Sequence, residues 1–222
     1  MSGLDFLLIC IYLICIAFVF VQMISSLFVE EVEIIFNKND LQSQLESQLL
    51  QEAIQIDFNF QSRYKLNTIP STLQIGIRNT SANKWIYIEW DYSCFIDLTG
   101  QATRLVRVPP GSTFDLLPSQ MFTVLSPGTQ FREILTSEAS LKRDAETDFL
   151  TIGSALINVS QFKPTKKKNL ILPEVPEEPG KFYIRLGIRS ANTNEDNSRT
   201  FYILNCMFLV KAVHWKQQLP WN

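Results

Sequence analysis

The hydrophobic pattern of the chain opens with one long apolar stretch, which begins at Phe6 and ends at Val29. It holds 24 residues without a charge, and sixteen of them are Leu, Ile, Val or Phe. A helix of this length crosses a hydrocarbon core of about 30 Å at about 1.5 Å per residue. A cleaved signal peptide fits less well, because residues 1–5 contain no Lys or Arg and the apolar run is too long. The pattern predicts a single transmembrane anchor in residues 1–29, with the lipid bilayer as its partner.

A helical period follows in residues 41–53. Leu41, Leu45 and Leu49 recur at helical spacing, and Asn39 or Asp40 offers an N-cap. We therefore expect a juxtamembrane segment with a short stalk helix in residues 30–53.

From residue 54 the hydrophobic period is 2. Ile54, Ile56 and Phe58 alternate with polar residues, which is typical of a strand with one buried face. Further strands are predicted in residues 73–77, 84–95, 104–108, 113–117, 121–125, 130–135, 149–159, 182–189 and 200–213. Many short strands between turn signals predict a mainly β domain in residues 54–222, an antiparallel β-sandwich of immunoglobulin-like or similar type, with a barrel as the alternative. One short surface helix is expected in residues 137–148.

Composition and charge narrow the possible partners. The chain is 46% hydrophobic, which excludes a disordered protein, and its net charge of −2 gives no reason to expect nucleic acid. The basic run consists of Lys163, Lys166, Lys167 and Lys168. A solvated loop is expected there, with a docking patch as the alternative.

Motifs for catalysis or cofactor binding are absent from the sequence. His214 is the only histidine, and none of the eight glycines falls in a phosphate-binding or nucleophile-elbow pattern. We therefore expect no metal, no cofactor and no enzyme activity.

One pair of carboxylates nevertheless shares a strand face. Glu89 and Asp91 are two residues apart beside Tyr87, so both should point the same way. Such a pair could hydrolyse a glycosidic bond or hold Ca²⁺, but a solvated outer face is the simpler interpretation.

Two cysteines of the predicted strands share the parity of apolar neighbours. Cys94 lies on the same strand side as Trp90 and Tyr92, and Cys206 lies on the same side as Leu204. Both thiols should face the interior, where they either form a disulfide or remain ordinary core residues.

Three motifs of the β region, IGIRNTS at residues 75–81, WIYIEWD at residues 85–91 and VLSPGT at residues 124–129, resemble those of a loose group of bacterial membrane-tethered cell-envelope β-sandwich proteins of uncharacterised function. The resemblance covers about a third of the chain. It implies a β-sandwich tethered to a membrane on its outer side.

The orientation of the anchor can be approached from its flanks. The acidic Glu30, Glu31 and Glu33 favour an extracytoplasmic domain, whereas Lys38 favours the cytoplasmic alternative. At the far end, Trp215 and Trp221 either lie at a membrane interface, contact another subunit or pack back on the domain.

The predicted function follows from anchor and domain together. We expect a single-pass membrane protein that acts as an accessory, assembly or interaction component and binds another membrane or envelope protein. The alternatives are a tethered hydrolase that uses Glu89 and Asp91, and a small structural subunit of a larger membrane complex.

Overall fold

The computed structural model describes residues 3–27, 31–108, 120–162, 178–192 and 199–213. These residues form two α-helices and twelve strands, with bounds α1 Gly3–Leu27, α2 Lys38–Ser47, β1 Glu31–Phe36, β2 Ile54–Asn59, β3 Arg63–Lys65, β4 Leu73–Asn79, β5 Lys84–Ile96, β6 Ala102–Arg107, β7 Thr123–Leu125, β8 Gln130–Ser137, β9 Leu141–Arg143, β10 Leu150–Ile152, β11 Gly180–Asn192 and β12 Arg199–Ala212.

Helix α1 covers most of the long apolar stretch, and it contains 25 residues. Between Phe6 and Phe20 its large apolar side chains that the structure describes as exposed range from 39% to 67% accessibility. In the described part of the chain, no helix has both the length and the hydropathy of a membrane span.

The predicted mainly β, antiparallel architecture is confirmed. Ten strands form a single curled sheet in the order β2-β4-β8-β6-β5-β11-β12-β1-β3, with β7 pairing separately with β5. Strand β6 joins the two halves of this sheet, because its residues 102–104 pair with β5 and its residues 105–107 pair with β8. Because β6 pairs with both halves, the strands form one continuous sheet, whereas the predicted β-sandwich would have two.

The core lies where the curled sheet brings its ends together. Phe36 of β1 lies 4.9 Å from Phe58 of β2 between ring centroids, and Phe208 of β12 lies 5.0 Å from each of them. Phe182 of β11 stacks on Phe208 at 4.6 Å. Because β1 and β2 lie near opposite ends of the strand order, these contacts close one continuous hydrophobic core.

The β domain begins earlier than residue 54. Strand β1 pairs with β12 along residues 32–36 and with β3 along residues 31–33, so the predicted juxtamembrane segment contributes a strand to the sheet. Helix α2 packs beside β12, where Gln44 bonds the backbone of Asn205. Residues 31–53 are therefore part of the domain and not a separate stalk.

Helix α2 also has different ends from those predicted. Its N-cap is Asn37, whose side-chain oxygen accepts a hydrogen bond from the Asp40 amide at 3.1 Å. The helix stops before Leu49, which has a φ of 57°, a conformation that interrupts the helical repeat. The predicted continuation to residue 53 is wrong because Leu50 and Ala53 are buried in a turn instead.

The surface helix predicted in residues 137–148 is replaced by a 3₁₀ turn at Glu138–Ser140 and a hairpin of β9 and β10. The carboxylate of Asp144 accepts hydrogen bonds from the amides of Glu146 and Thr147 at 2.9 Å each, which fixes the hairpin turn. The strand predicted in residues 149–159 ends at Ile152. The irregular chain beyond it buries Leu156, Ile157 and Val159.

Several predicted features lie outside the described residues. They are the strand in residues 113–117, the lysines Lys163, Lys166, Lys167 and Lys168, the histidine His214 and the tail residues Trp215 and Trp221.

Candidate functional site

A bulge in β5 shapes the outer side of the sheet, the side opposite the core. Glu89 pairs with Gly187 of β11, and Cys94 pairs with Arg185, so residues 90–93 of β5 lie opposite the single residue Leu186 of β11. Asp91 and Tyr92 lie in this excess and are exposed. Because only one β5 residue can lie opposite Leu186, the strand bends there and Asp91 and Tyr92 project outward.

The bulge reverses the side-chain alternation that the sequence predicted for Cys94. Phe95 becomes the buried residue, and Cys94 turns to the outer side beside Arg185 and Arg104 of the flanking strands. Cys206 is buried as predicted, opposite Ile184.

Of the two alternatives for Cys94 and Cys206, the disulfide does not form, and both thiols are free. Strand β11 lies between β5 and β12, which separates the two cysteine backbones by two strand spacings of about 4.8 Å each. This exceeds the 4.4–6.8 Å that a disulfide spans between Cα atoms.

The predicted carboxylate pair is divided between two separate ion pairs. Glu89 lies 2.8 Å from the guanidinium of Arg189 in β11, and Asp91 lies 2.6 Å from that of Arg104 in β6. The hydrogen bond from Arg104 lowers the pKa of Asp91, burial raises it by less, and the amide of Gln120 lowers it further. A general acid near neutral pH needs a raised pKa, so this arrangement does not favour the hydrolase alternative.

A polar network behind the bulge fixes β7 against β5. The indole of Trp90 donates to Thr123 at 2.8 Å, and the guanidinium of Arg107 lies 5.4 Å from the centre of the Trp90 ring. Arg107 also donates to the carbonyl of Met121 at 3.0 Å. The residues that follow Met121 are therefore positioned by contacts from two neighbouring strands.

The outer side of β7, β5, β11 and β12 carries a set of solvent-facing apolar side chains that we term the aromatic face, which consists of Tyr87, Tyr92, Phe122, Val124, Phe201 and Ile203. Tyr92 is 68% exposed, Phe201 45% and Ile203 48%. The rings of Tyr87 and Phe122 pack edge to face at 5.8 Å. An antiparallel sheet that faces water with one side normally presents polar residues there, so this composition is unusual.

Strand register makes the aromatic face continuous. Val124 of β7 pairs with Tyr87, Tyr87 with Arg189, and Arg189 with Phe201 of β12. The ion pair of Arg189 with Glu89 therefore lies between apolar side chains on both sides.

Gly187 in β11 makes room for the ring contact at the centre of the aromatic face. A Cβ atom at this position would lie 2.9 Å from the Cβ of Tyr92 and 3.2 Å from the Phe201 ring. Because glycine leaves this space empty, Tyr92 crosses β11, and its ring packs edge to face against Phe201 at 5.7 Å.

A cleft of about 480 Å³ lies at another part of the sheet, between β5, β6, β8 and residues 154–160. Thr103 and Ser137 in its wall bond each other at 2.6 Å. Burial raises the pKa of Asp97, but hydrogen bonds from Thr99, Gln101 and Gly100 outweigh it and lower the pKa overall. These polar groups serve the local structure, and the cleft presents no converging set for a ligand.

Metal and thiol chemistry find no support in the described residues. No group of three His, Cys, Asp or Glu side chains lies close enough there to hold a metal ion. Burial, with a smaller contribution from Asp40, raises the pKa of the Cys206 thiol, which keeps it protonated and unreactive.

The sequence did not identify Tyr92, Phe201 and Ile203 as site residues. A partial signal was present, because Trp85 and Tyr87 lie on the same side of the strand predicted at residues 84–95 as Glu89 and Asp91. The projection of Tyr92 depends on the bulge and on Gly187, which only the partner strand reveals.

Comparisons with known proteins add no identity. No protein family, no curated protein and no solved structure matches this chain.

Proposed function

We propose that this protein is a membrane-anchored, non-enzymatic binding protein that engages a protein partner through the aromatic face. The observation that carries this proposal is the exposed ring pair of Tyr92 and Phe201 above Gly187. Two exposed rings held against each other lose little conformational entropy when a partner covers them.

The composition of the aromatic face supports a protein partner. Protein interfaces are enriched in Tyr, Phe and Arg, and their strongest contacts come from such residues near the centre. Here Phe201, which packs against Tyr92, lies opposite Arg189, whose side chain is 35% exposed. The Glu89 carboxylate orients this guanidinium, so the face is organised before binding.

Helix α1 is the anchor in this proposal. The stretch from Phe6 to Val29 has no charged residue, and helical backbone in a bilayer satisfies its own hydrogen bonds. Transfer of the exposed apolar side chains of α1 from water into lipid would stabilise that location.

The orientation of the domain remains a proposal as well. The register places Lys65 opposite Glu31, and Arg63 and Lys211 opposite Glu33. Because the acidic flank is balanced by basic neighbours, its charge no longer favours either side of the membrane. We keep the extracytoplasmic side on the resemblance to envelope proteins, with the cytoplasmic side as the alternative.

Site-directed photocrosslinking in native membranes tests the binding surface. A photoreactive phenylalanine analogue at position 203 should give light-dependent adducts, and Tyr92→Ser combined with Phe201→Ser should reduce them at least tenfold. The same analogue at position 149, an exposed aromatic position in the β9–β10 hairpin, should give none. Equal labelling from both positions, or adducts that persist in the double variant, would contradict the proposal.

Alkaline carbonate extraction tests the anchor separately. The full chain should stay in the membrane pellet, whereas Ile14→Arg with Phe18→Arg should be released, because each central arginine costs about 3 kcal/mol on insertion. Replacement of the same two residues by alanine is the matched control and should stay in the pellet. Release of the unmodified chain would refute anchoring by α1.

A further inference from the structure

We propose that the partner on the aromatic face is a second copy of this chain, anchored in the same membrane; this inference rests on the proposed function. It follows from the distance between anchor and face, from the direction in which the face looks, and from the charges at its centre.

The link between α1 and the sheet is short. Only residues 28–30 separate Leu27 from Glu31, so their Cα atoms lie no more than about 14 Å apart. The amide of Val213 donates to the Glu31 carbonyl at 2.9 Å, and Lys65 pairs with Glu31. The start of β1, the end of β12 and the end of β3 therefore form the end of the sheet nearest the bilayer.

Strand β12 leads from that end to the aromatic face. Ala212 pairs with Val32 near the start of β1, and Phe201 lies eleven residues earlier in the same strand. At about 3.3 Å per residue, the face lies roughly 35 Å further from the anchor. Strands β5 and β11 run alongside β12, so the aromatic face lies parallel to the direction of β12 and points away from it to the side.

Two anchored copies consequently present identical faces at the same height. A partner with a different anchor would need a complementary surface at the same distance from the bilayer. A second copy of this chain carries its aromatic face at that distance. Confinement to one membrane raises the effective concentration, so a face of moderate affinity is sufficient.

The centre of the face is complementary to itself. Arg189 and Glu89 lie 2.8 Å apart within one chain, so a twofold axis beside this pair would place Arg189 of each copy next to Glu89 of the other. The two residues carry opposite charge and would attract each other across the interface. Tyr92 and Phe201 would then cover the same residues of the second copy, which gives the same apolar contact twice.

Co-purification of two differently tagged full-length copies from one membrane preparation tests the inference. The second tag should be recovered with the first, and Tyr92→Ser with Phe201→Ser should lower the recovery at least tenfold. Phe149→Ser is the matched control and should have no effect.

Charge exchange separates direct pairing from loss of structure. Arg189→Glu alone and Glu89→Arg alone should each weaken self-association, whereas one copy of each, expressed together, should associate at least fivefold better than either variant with itself. Failure of the mixed pair to recover would overturn the twofold contact.

The inference and the proposed function can fail separately. If the tagged copies do not co-purify while position 203 still gives adducts with another protein, the second copy is overturned and the binding function stands. If position 203 gives no adducts at all, both are overturned.

Discussion

At the residue scale, two glycines that lie in strands flanked on both sides leave space for a side chain from a neighbouring strand. Gly187 leaves space for Tyr92, and Gly76 leaves space for the Asp57 carboxylate, whose oxygens would lie 2.7 Å from an added Cβ. The two positions differ in what would have to move. At Gly187 the nearest atom is the Cβ of Tyr92, which is fixed by the backbone, whereas at Gly76 it is the end of the exposed Asp57 side chain.

Substitution of these glycines by alanine should therefore have unequal effects. Gly187→Ala should lower the free energy of unfolding by about 1–3 kcal/mol, because the bulge must shift to relieve the clash. Gly76→Ala should cost less than about 1 kcal/mol, because the Asp57 carboxylate can swing into solvent. Urea titration of both variants measures the difference, and equal losses would show that Tyr92 is not held by Gly187.

Asp91 links the bulge to β6, and its lowered pKa gives a pH dependence with a definite sign. A carboxyl whose pKa is lower in the folded state stabilises the fold above the unfolded value of about 3.9, and this contribution is lost as the pH falls below it. Asp91→Asn should thus be less stable than the unmodified protein at pH 7, and the difference should disappear by about pH 2.

The size of that difference should be small, because the carboxylate is 42% exposed and water screens the pair. Arg104→Gln removes the same contact from the other partner and should show the same pH dependence. Unfolding midpoints of the three proteins between pH 2 and pH 7 provide the measurement. A stability difference that stays constant across this range would show that the effect of Asp91 does not come from its charge.

At the element scale, α2 covers an edge of β12 that β1 leaves unpaired. The side-chain amide of Gln44 accepts from the Asn205 amide at 2.8 Å and donates to its carbonyl at 2.9 Å, as a neighbouring strand would. Gln48 donates to the carbonyl of Ile203 at 3.2 Å. Two glutamines thus continue the hydrogen bonding of the sheet from a helix, which protects an open strand edge.

Gln44→Ala should therefore destabilise the domain by about 1–3 kcal/mol, because Asn205 loses partners for both backbone groups. Gln42→Ala is a control in the same helix. Gln42 bonds Glu46 on the exposed surface, and loss of this contact should cost no more than about 0.5 kcal/mol. Hydrogen exchange at the Asn205 amide should accelerate in the first variant alone; unchanged exchange there would argue against the edge-covering role.

At the scale of the whole molecule, the position of β11 determines the state of the cysteines. Because β11 separates β5 from β12, Cys94 and Cys206 cannot meet in the folded protein. An oxidising compartment would therefore leave no bridge between them.

Thiol counting on unfolded, unreduced protein should find four free thiols. In the folded protein Cys206 should be alkylated only as fast as the domain opens, because its thiol is buried and its pKa is raised. Cys94→Ser should leave that rate unchanged. Fast alkylation of Cys206 in the folded protein under native conditions would contradict the packing around β12.

The sequence predicted what depends on local alternation and missed what depends on distant partners. Strands β2, β4, β8, β11 and β12 follow directly from their period of 2. Strand β1 was missed because its acidic residues suggested a charged flank, and its partner lies far along the chain. The β9–β10 hairpin contains good helix formers, yet the turn at Asp144 determines its structure.

The candidate site was predictable only in part. Glu89 and Asp91 were correctly placed on an outer face, but alternation alone could not assign a separate arginine to each. A bulge has no unique signature in a single strand, since it is defined by the count of residues opposite it. The exposed position of Tyr92 therefore had to come from the structure.

The pairing of β1 with β12 affects the order in which the protein can fold during synthesis. The ribosome completes β1 before β12, and the contact between α2 and β12 joins residues 161 positions apart. Until β12 emerges, Val32 and Ile34 of β1 have no strand to shield them on that edge. Closure of the sheet is thus a late event, and a nascent chain stopped before residue 199 leaves both β1 and β11 without their shared neighbour.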